Sequence, residues 1–202
     1  MIIRINGWCI LAILGSLLAA LPAWAQNAPR DEASRLAVAV LGRVCLLGVG
    51  DPFATQQIVR PGGEFGFTEV PSEVATSLLQ GRRGVVRALR HPAGNTLMVV
   101  VGDDGICSVW SQLGDTEAVR RYLSSMVEAG GMKGGGQLLP MGATAASGAV
   151  VSEWYLLPAG WYARDLGRRA GDDGSRPVLV TAAIWPSGGR PFEALLSTAR
   201  GK

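Results

Sequence analysis

The sequence predicts an α+β fold in which an antiparallel sheet of two meanders carries packed helices, preceded by a cleaved signal peptide. Short β-rich runs follow Asp-Gly turns in two places, before Trp110 and before Trp185. Other segments repeat apolar residues at helical spacing and end at glycine. Beyond the N-terminus, no apolar run approaches the roughly 18 residues of a membrane span. We therefore expect one domain and no membrane span in the mature chain.

Residues 1–25 have the layout of a secretory signal peptide. Arg4 provides a basic start, and the apolar run Trp8–Leu21 follows it. Alanine stands at position 25 and again two residues earlier, where a signal peptidase requires small side chains, so we expect cleavage after Ala25. The alternative is an uncleaved anchor. Residues 26–202 are expected to form a single domain that is secreted or periplasmic.

Helices and strands are expected to combine in the first half of the mature chain. Helices are predicted over Asp31 to about Gly48, Pro71–Gln80 and Asp115–Gly130. Strands are predicted over Gly84–Arg90, Thr96–Val101 and Ile106–Ser111. We expect Asp51-Pro52 to end the first helix, and residues 53–70 to be irregular or a weak hairpin.

A segment rich in Gly, Ala and Ser, residues 129–149, is predicted to be a mobile connection to the second half. Strands are predicted over Val150–Leu157, Trp161–Arg168 and Val178–Trp185. Pro191 is predicted to open a final helix, with Phe192, Leu195, Leu196 and Ala199 on one side. Each half would then contain a ββα-like unit. Because Asp-Gly turns and apolar strands are common, the repetition does not require a duplication.

Two cysteines, Cys45 and Cys107, remain after cleavage, since Cys9 lies inside the signal peptide. An even pair in an oxidising compartment predicts one disulfide. Closing a loop of roughly 60 residues would stabilise the fold by about 3–4 kcal/mol. Two buried free thiols are the alternative.

Charge and composition exclude several functional classes. The chain has 19 basic and 16 acidic residues, too even a balance for a nucleic-acid-binding face. The single histidine, His91, leaves too few ligands for a histidine-based zinc site. The sequence has no Gly-x-Ser-x-Gly elbow, phosphate-binding loop or Cys-x-x-Cys motif. We expect no metal and no cofactor.

Two Trp-Tyr pairs surround the turn between two predicted strands. Strand alternation places Tyr155 and Trp161 on one face, and Trp154 and Tyr162 on the other. Helices on one side of a sheet bury only that face fully. The aromatic pair on the opposite face must therefore be covered by another part of the chain or by a partner. Exposed aromatic side chains anchor protein partners and sugar rings. These four residues are therefore a hypothetical binding surface, with full burial of both sets as the alternative.

The sequence favours an exported, non-enzymatic domain that binds a macromolecule at the cell envelope or outside the cell. A small exported hydrolase is the first alternative, with Asp103, Asp104 or Asp165 among its dispersed carboxylates. A small-molecule carrier is the second, with its pocket beneath the Gly-rich connection. The identity of the partner does not follow from the residues.

Overall fold

Eight strands form one antiparallel sheet in the computed structural model, which describes residues 23–91, 94–129, 139–144, 151–157, 178–185 and 191–200. The strands are β1 (Thr68–Glu69), β2 (Gly84–Arg90), β3 (Thr96–Gly102), β4 (Cys107–Ser111), β5 (Leu139–Thr144), β6 (Val151–Leu157), β7 (Val178–Ile184) and β8 (Ala194–Arg200). Their order across the sheet is β1-β2-β3-β4-β8-β7-β6-β5. The predicted α+β class is confirmed.

Four α-helices are described beside this sheet: α1 (Ala23–Val40), α2 (Pro52–Ile58), α3 (Ser72–Leu79) and α4 (Thr116–Ala129). A π-helical segment, Leu41–Leu46, continues α1. Together α1 and the π-helical segment contact β4 and β8, and α4 packs against α1. Helix α3 contacts β2 and β3. Among the described residues, no helix is both long and apolar enough to cross a membrane.

The main core lies between the sheet and the helical layer of α1. On β7, buried residues alternate with half-buried ones, as expected of a strand with one fully covered face. The π-helical segment contributes Leu41, Val44 and Cys45, all fully buried. A smaller cluster forms around Leu78 of α3, which packs with Val86 and Val100. The sheet therefore carries apolar contacts on both faces of β2 and β3.

Cys45 and Cys107 lie at disulfide distance, with sulfurs 2.02 Å apart and Cα atoms 5.3 Å apart. Cys45 belongs to the π-helical segment and Cys107 begins β4. Both residues are buried, so the bond lies inside the main core. It attaches the helical layer to the centre of the sheet, in agreement with the pairing expected from the sequence.

The predicted helix at Pro191–Ala199 is wrong, because Ala194–Arg200 is strand β8. Leu196 and Ala194 are fully buried, whereas Leu195 on the opposite face is half-buried. A short strand with apolar residues on both faces lacks the alternation that distinguishes it from a helix. Pairing with β4 and β7 decides the conformation here.

The interpretation of residues 53–70 is also wrong in part, since Pro52–Ile58 is helix α2. Asp51 accepts a hydrogen bond from the Ala54 amide at 2.8 Å and therefore caps α2. Pro52 occupies its first turn, where a missing amide proton costs little. The Asp-Pro pair starts a helix as well as following one.

Part of the predicted mobile connection is also a strand, because Leu139–Thr144 forms β5 and pairs with β6. The helix predicted from Asp31 is already present at Ala23, the first described residue. The predicted strand Trp161–Arg168 lies outside the described residues, as does most of the predicted signal peptide.

Replacing both cysteines tests the contribution of the disulfide. We expect Cys45→Ala/Cys107→Ala to lower the free energy of unfolding by about 3–4 kcal/mol, because the closed loop restricts the unfolded chain. Urea unfolding followed by circular dichroism measures the change. Reduced wild-type protein should unfold near the midpoint of the double variant. Equal midpoints for oxidised wild type and double variant would contradict the predicted contribution.

Candidate functional site

An open groove of about 580 Å³ lies beside α2. One side is formed by α2, and the other by the loop that leads from it towards β1. The lining is mostly apolar and consists of Phe53, Ala54, Gln57, Ile58, Arg60, Gly63, Glu64 and Phe65. Its volume is within the usual range for ligand sites, roughly 300–1,000 Å³, but its open form suits a surface contact better than an enclosed ligand.

Hydrogen bonds and a close backbone approach fix α2 in place. The buried hydroxyl of Thr55 donates to the Gly48 carbonyl at 2.9 Å. A Cβ atom at Gly48 would lie 1.8 Å from the Thr55 hydroxyl oxygen, so glycine is required at this contact. Gln56 donates to the Asp103 carboxylate at 2.9 Å and connects α2 to the β3–β4 turn. The groove therefore has a rigid wall.

Phe53 is the feature that distinguishes this groove. Its side chain is 70 % exposed, and it is the exposed large hydrophobic residue of the described part of the chain. Ile58 and Phe65, which line the same groove, are half-buried and pack against the main core. Single exposed apolar residues are ordinary, so Phe53 is notable only because it stands beside an apolar concavity.

Charges of both signs stand at this groove. Arg60 and Glu64 are exposed and line it together with Phe53. Within the described residues, neither side chain forms an ion pair. An apolar centre with polar residues at its rim is the usual organisation of a protein interface.

The groove was not predicted from the sequence. Its wall depends on α2, and residues 53–70 lacked a recognised helical pattern. Asp51 before Pro52 was the available signal, since an N-cap followed by proline is a helix start. The exposure of Phe53 has no sequence signal. A helix of seven residues makes only about two turns, which is too few for a repeat of apolar residues to show which face is buried.

The hypothetical aromatic surface is only partly within the described residues. Trp154 and Tyr155 are neighbours on β6, opposite Thr181 and Val180 of β7. Val180 is fully buried and Thr181 is half-buried. Trp161 and Tyr162 lie outside the described residues.

The candidate carboxylates of a hydrolase have structural partners. Asp104 accepts a hydrogen bond from the Ile106 amide at 3.1 Å within the β3–β4 turn. Arg82 lies 3.6 Å from the same carboxylate, and Asp103 accepts from Gln56. Both aspartates are exposed. These contacts stabilise the turn and its junction with α2, and Asp165 lies outside the described residues.

Potential metal ligands do not cluster in the described part of the chain: no group of three or more His, Cys, Asp or Glu side chains is placed to hold an ion. His91 lies 3.7 Å from Glu32, on the side of the protein where α1 meets the loop after β2. Arg35 donates to the same carboxylate, and this hydrogen bond lowers the pKa of Glu32. Glu32 therefore forms an ion pair with Arg35.

A buried polar network lies at the other end of the sheet from the groove. Arg30 donates to Glu193 at 2.9 Å, and the Gly114 amide donates to the second oxygen of that carboxylate at 3.3 Å. Ser34 accepts from the Asp115 amide at 3.0 Å and donates to the Arg30 carbonyl at 2.8 Å. Helix α1, the start of α4 and the start of β8 are joined by these contacts.

A second set of contacts joins α1 to α4 nearby. Asp31 accepts hydrogen bonds from Arg121 and, at 2.8 Å, from the Tyr122 hydroxyl. The Arg121 guanidinium lies 4.8 Å from the centre of the Tyr122 ring. The hydrogen bond with Tyr122 raises the pKa of Arg121 most, and the hydrogen bond with Asp31 raises it further. The cluster fixes the orientation of two helices. Each of its three side chains has a partner within the cluster, which gives it a structural role.

Comparison with known proteins identifies no relative. No protein-family model, curated protein or solved structure matches the chain. Function must be inferred from the groove and from the sequence.

Arg30→Ala tests the buried network. Because Glu193 is only 7 % exposed, loss of its cation leaves a buried charge unpaired, and we expect a destabilisation of about 2–3 kcal/mol, somewhat below the value for a fully buried pair. Thermal unfolding measures it. Adding Glu193→Gln should recover part of the loss. Arg35→Ala, which breaks an exposed pair on the same helix, is the control and should change little. Equal effects of the two arginine variants would contradict the structural role of the network.

Proposed function

We propose that this protein is an exported, non-enzymatic binding domain whose partner is a protein of the cell envelope or of the extracellular space. Phe53 carries the proposal: its ring is 70 % exposed at the edge of an apolar groove with a rigid wall. The signal-peptide layout of residues 1–25 supports export. The paired cysteines suit an oxidising compartment.

The chemistry of the groove favours a protein partner. Phe53, Ile58 and Phe65 form an apolar centre for one aromatic or aliphatic side chain. Arg60 and Glu64 offer both signs of charge beside that centre, which suits a polypeptide segment carrying acidic and basic groups next to its apolar anchor. Carriers of small molecules enclose most of their ligand, and this groove is too open to do so.

Hydrolysis is the weaker proposal for this site. A glycosidase needs two carboxyl groups on either side of its scissile bond. Glu64 is the one acidic residue among the described residues that line the groove. Asp103 and Asp104 belong to the turn contacts already described, which gives each of them a role without catalysis.

The hypothetical surface at Trp154, Tyr155, Trp161 and Tyr162 remains a second place where a partner could bind. It would support the same function class, because exposed aromatic side chains are typical anchors for a partner. The two surfaces are distinguished by substitution, since Phe53 and β6 belong to opposite halves of the chain.

Phe53→Ser tests the groove. The mature protein, Gln26 onward with its disulfide intact, is used to capture partners from native envelope and culture fluid. We expect one stoichiometric partner and at least tenfold weaker capture by the variant, because a buried Phe side chain contributes about 1.5–3 kcal/mol. Since the side chain is largely exposed, the unfolding midpoint should stay unchanged.

Arg83→Ser is the matched control, because it truncates a large exposed side chain outside the groove. It should capture the partner as wild type does. If Phe53→Ser captures the partner normally but Trp154→Ala/Tyr162→Ala does not, the function class stands and the groove is the wrong surface. If neither variant changes capture, or no partner is captured, the binding proposal is wrong for both surfaces.

A further inference from the structure

Pro29 lies inside α1, four residues after the predicted cleavage point. Helix α1 extends from Ala23 to Val40 and therefore includes the Ala25–Gln26 peptide bond. In an α-helix, the amide of residue 29 would donate to the carbonyl of residue 25. Proline has no amide proton, and its ring crowds that carbonyl. The interrupted hydrogen bond is thus the one that would engage the scissile carbonyl of Ala25.

Contacts with the rest of the fold begin immediately after Pro29. Arg30 is held by Glu193 and by the Gly114 carbonyl, and Asp31 is held by Arg121 and Tyr122. Pro29 itself is exposed. Tertiary contacts therefore stabilise the helix from Arg30 onward, whereas the turn across Ala25 is weakened by the proline.

The same residues suit a helix that starts at Pro29. Proline is favoured in the first helical position, where its missing amide proton would have no intrahelical partner. Asp31 and Glu32 would then lie in the first turn, where negative charge interacts favourably with the helix dipole. A chain beginning at Gln26 would carry a short tail and then a well-formed helix start.

We propose that Pro29 makes the Ala25–Gln26 bond a processing site by weakening the helix that includes it, so that signal peptidase removes residues 1–25 efficiently. The inference rests on the export part of the proposed function. The reaction is hydrolysis: water adds to the Ala25 carbonyl carbon, the bond to the Gln26 nitrogen breaks, and Ala25 leaves as a carboxylate with Gln26 as the new amino terminus. Pro29 acts as a positioning residue through the backbone.

Pulse-chase labelling of the full chain in an exporting bacterium tests the role of Pro29. We expect conversion of precursor to mature protein to be about fivefold slower or more in Pro29→Ala, since alanine restores the hydrogen bond to Ala25 and favours helix. Pro29→Gly should be intermediate, because glycine restores the amide proton but disfavours helix. Arg35→Ala, an exposed change further along α1, should mature at the wild-type rate.

Two readouts separate this inference from the export proposal. Mass spectrometry should find the tryptic peptide Gln26–Arg30, which marks cleavage after Ala25. Thiol alkylation reports whether Cys45 and Cys107 are oxidised, and hence exported, independently of cleavage. Normal maturation of Pro29→Ala with oxidised cysteines overturns the role of Pro29 while export stands. A wild-type chain that stays reduced and uncleaved overturns both proposals.

Discussion

The pairing of β4 with β8 is the contact on which the rest of the structure depends. In the described residues it alone joins the strands before α4 to the strands after it. Helix α1 and the π-helical segment lie over this pairing and are fastened at both of its ends. At one end Cys45 is bonded to Cys107, and at the other Arg30 is paired with Glu193, whose own amide donates to the Ser111 carbonyl at 3.0 Å. A covalent bond and a partly buried ion pair therefore fix the helix along the centre of the sheet.

This arrangement gives the two ends of α1 different roles. The π-helical end leads through Gly48 into α2, and the contact of Thr55 with Gly48 transfers the rigidity of the core to the wall of the groove. The amino-terminal end has firm contacts from Arg30 onward, adjacent to the proposed processing site. A binding surface gains affinity when its wall is preorganised, because less conformational entropy is lost on association. The exposure of Phe53 on such a wall is what makes α2, and not the exposed aspartates of the turn, the centre of the functional account.

The sequence predicted those parts of the fold in which local pattern and tertiary packing agree. Strand β2 and helix α3 coincide with their predicted ranges to within one residue, and the pairing of Cys45 with Cys107 followed from their number and compartment. Prediction failed where the local sequence suits either a helix or a strand and tertiary packing selects one of them. The segment that became β8 has helical spacing as well as two apolar faces, and only its partners β4 and β7 select the strand. The groove was missed because its wall is α2, a seven-residue helix whose one sequence signal was the cap Asp51 before Pro52.

Site-specific photo-crosslinking from position 53 in living, exporting cells tests the binding account most directly. A photoreactive phenylalanine analogue at this position should give one discrete protein adduct, because the ring is expected to insert into the interface. The same analogue at Arg90, which is exposed outside the groove, should give none. Absence of an adduct at position 53, or the same diffuse products from both positions, would contradict the account.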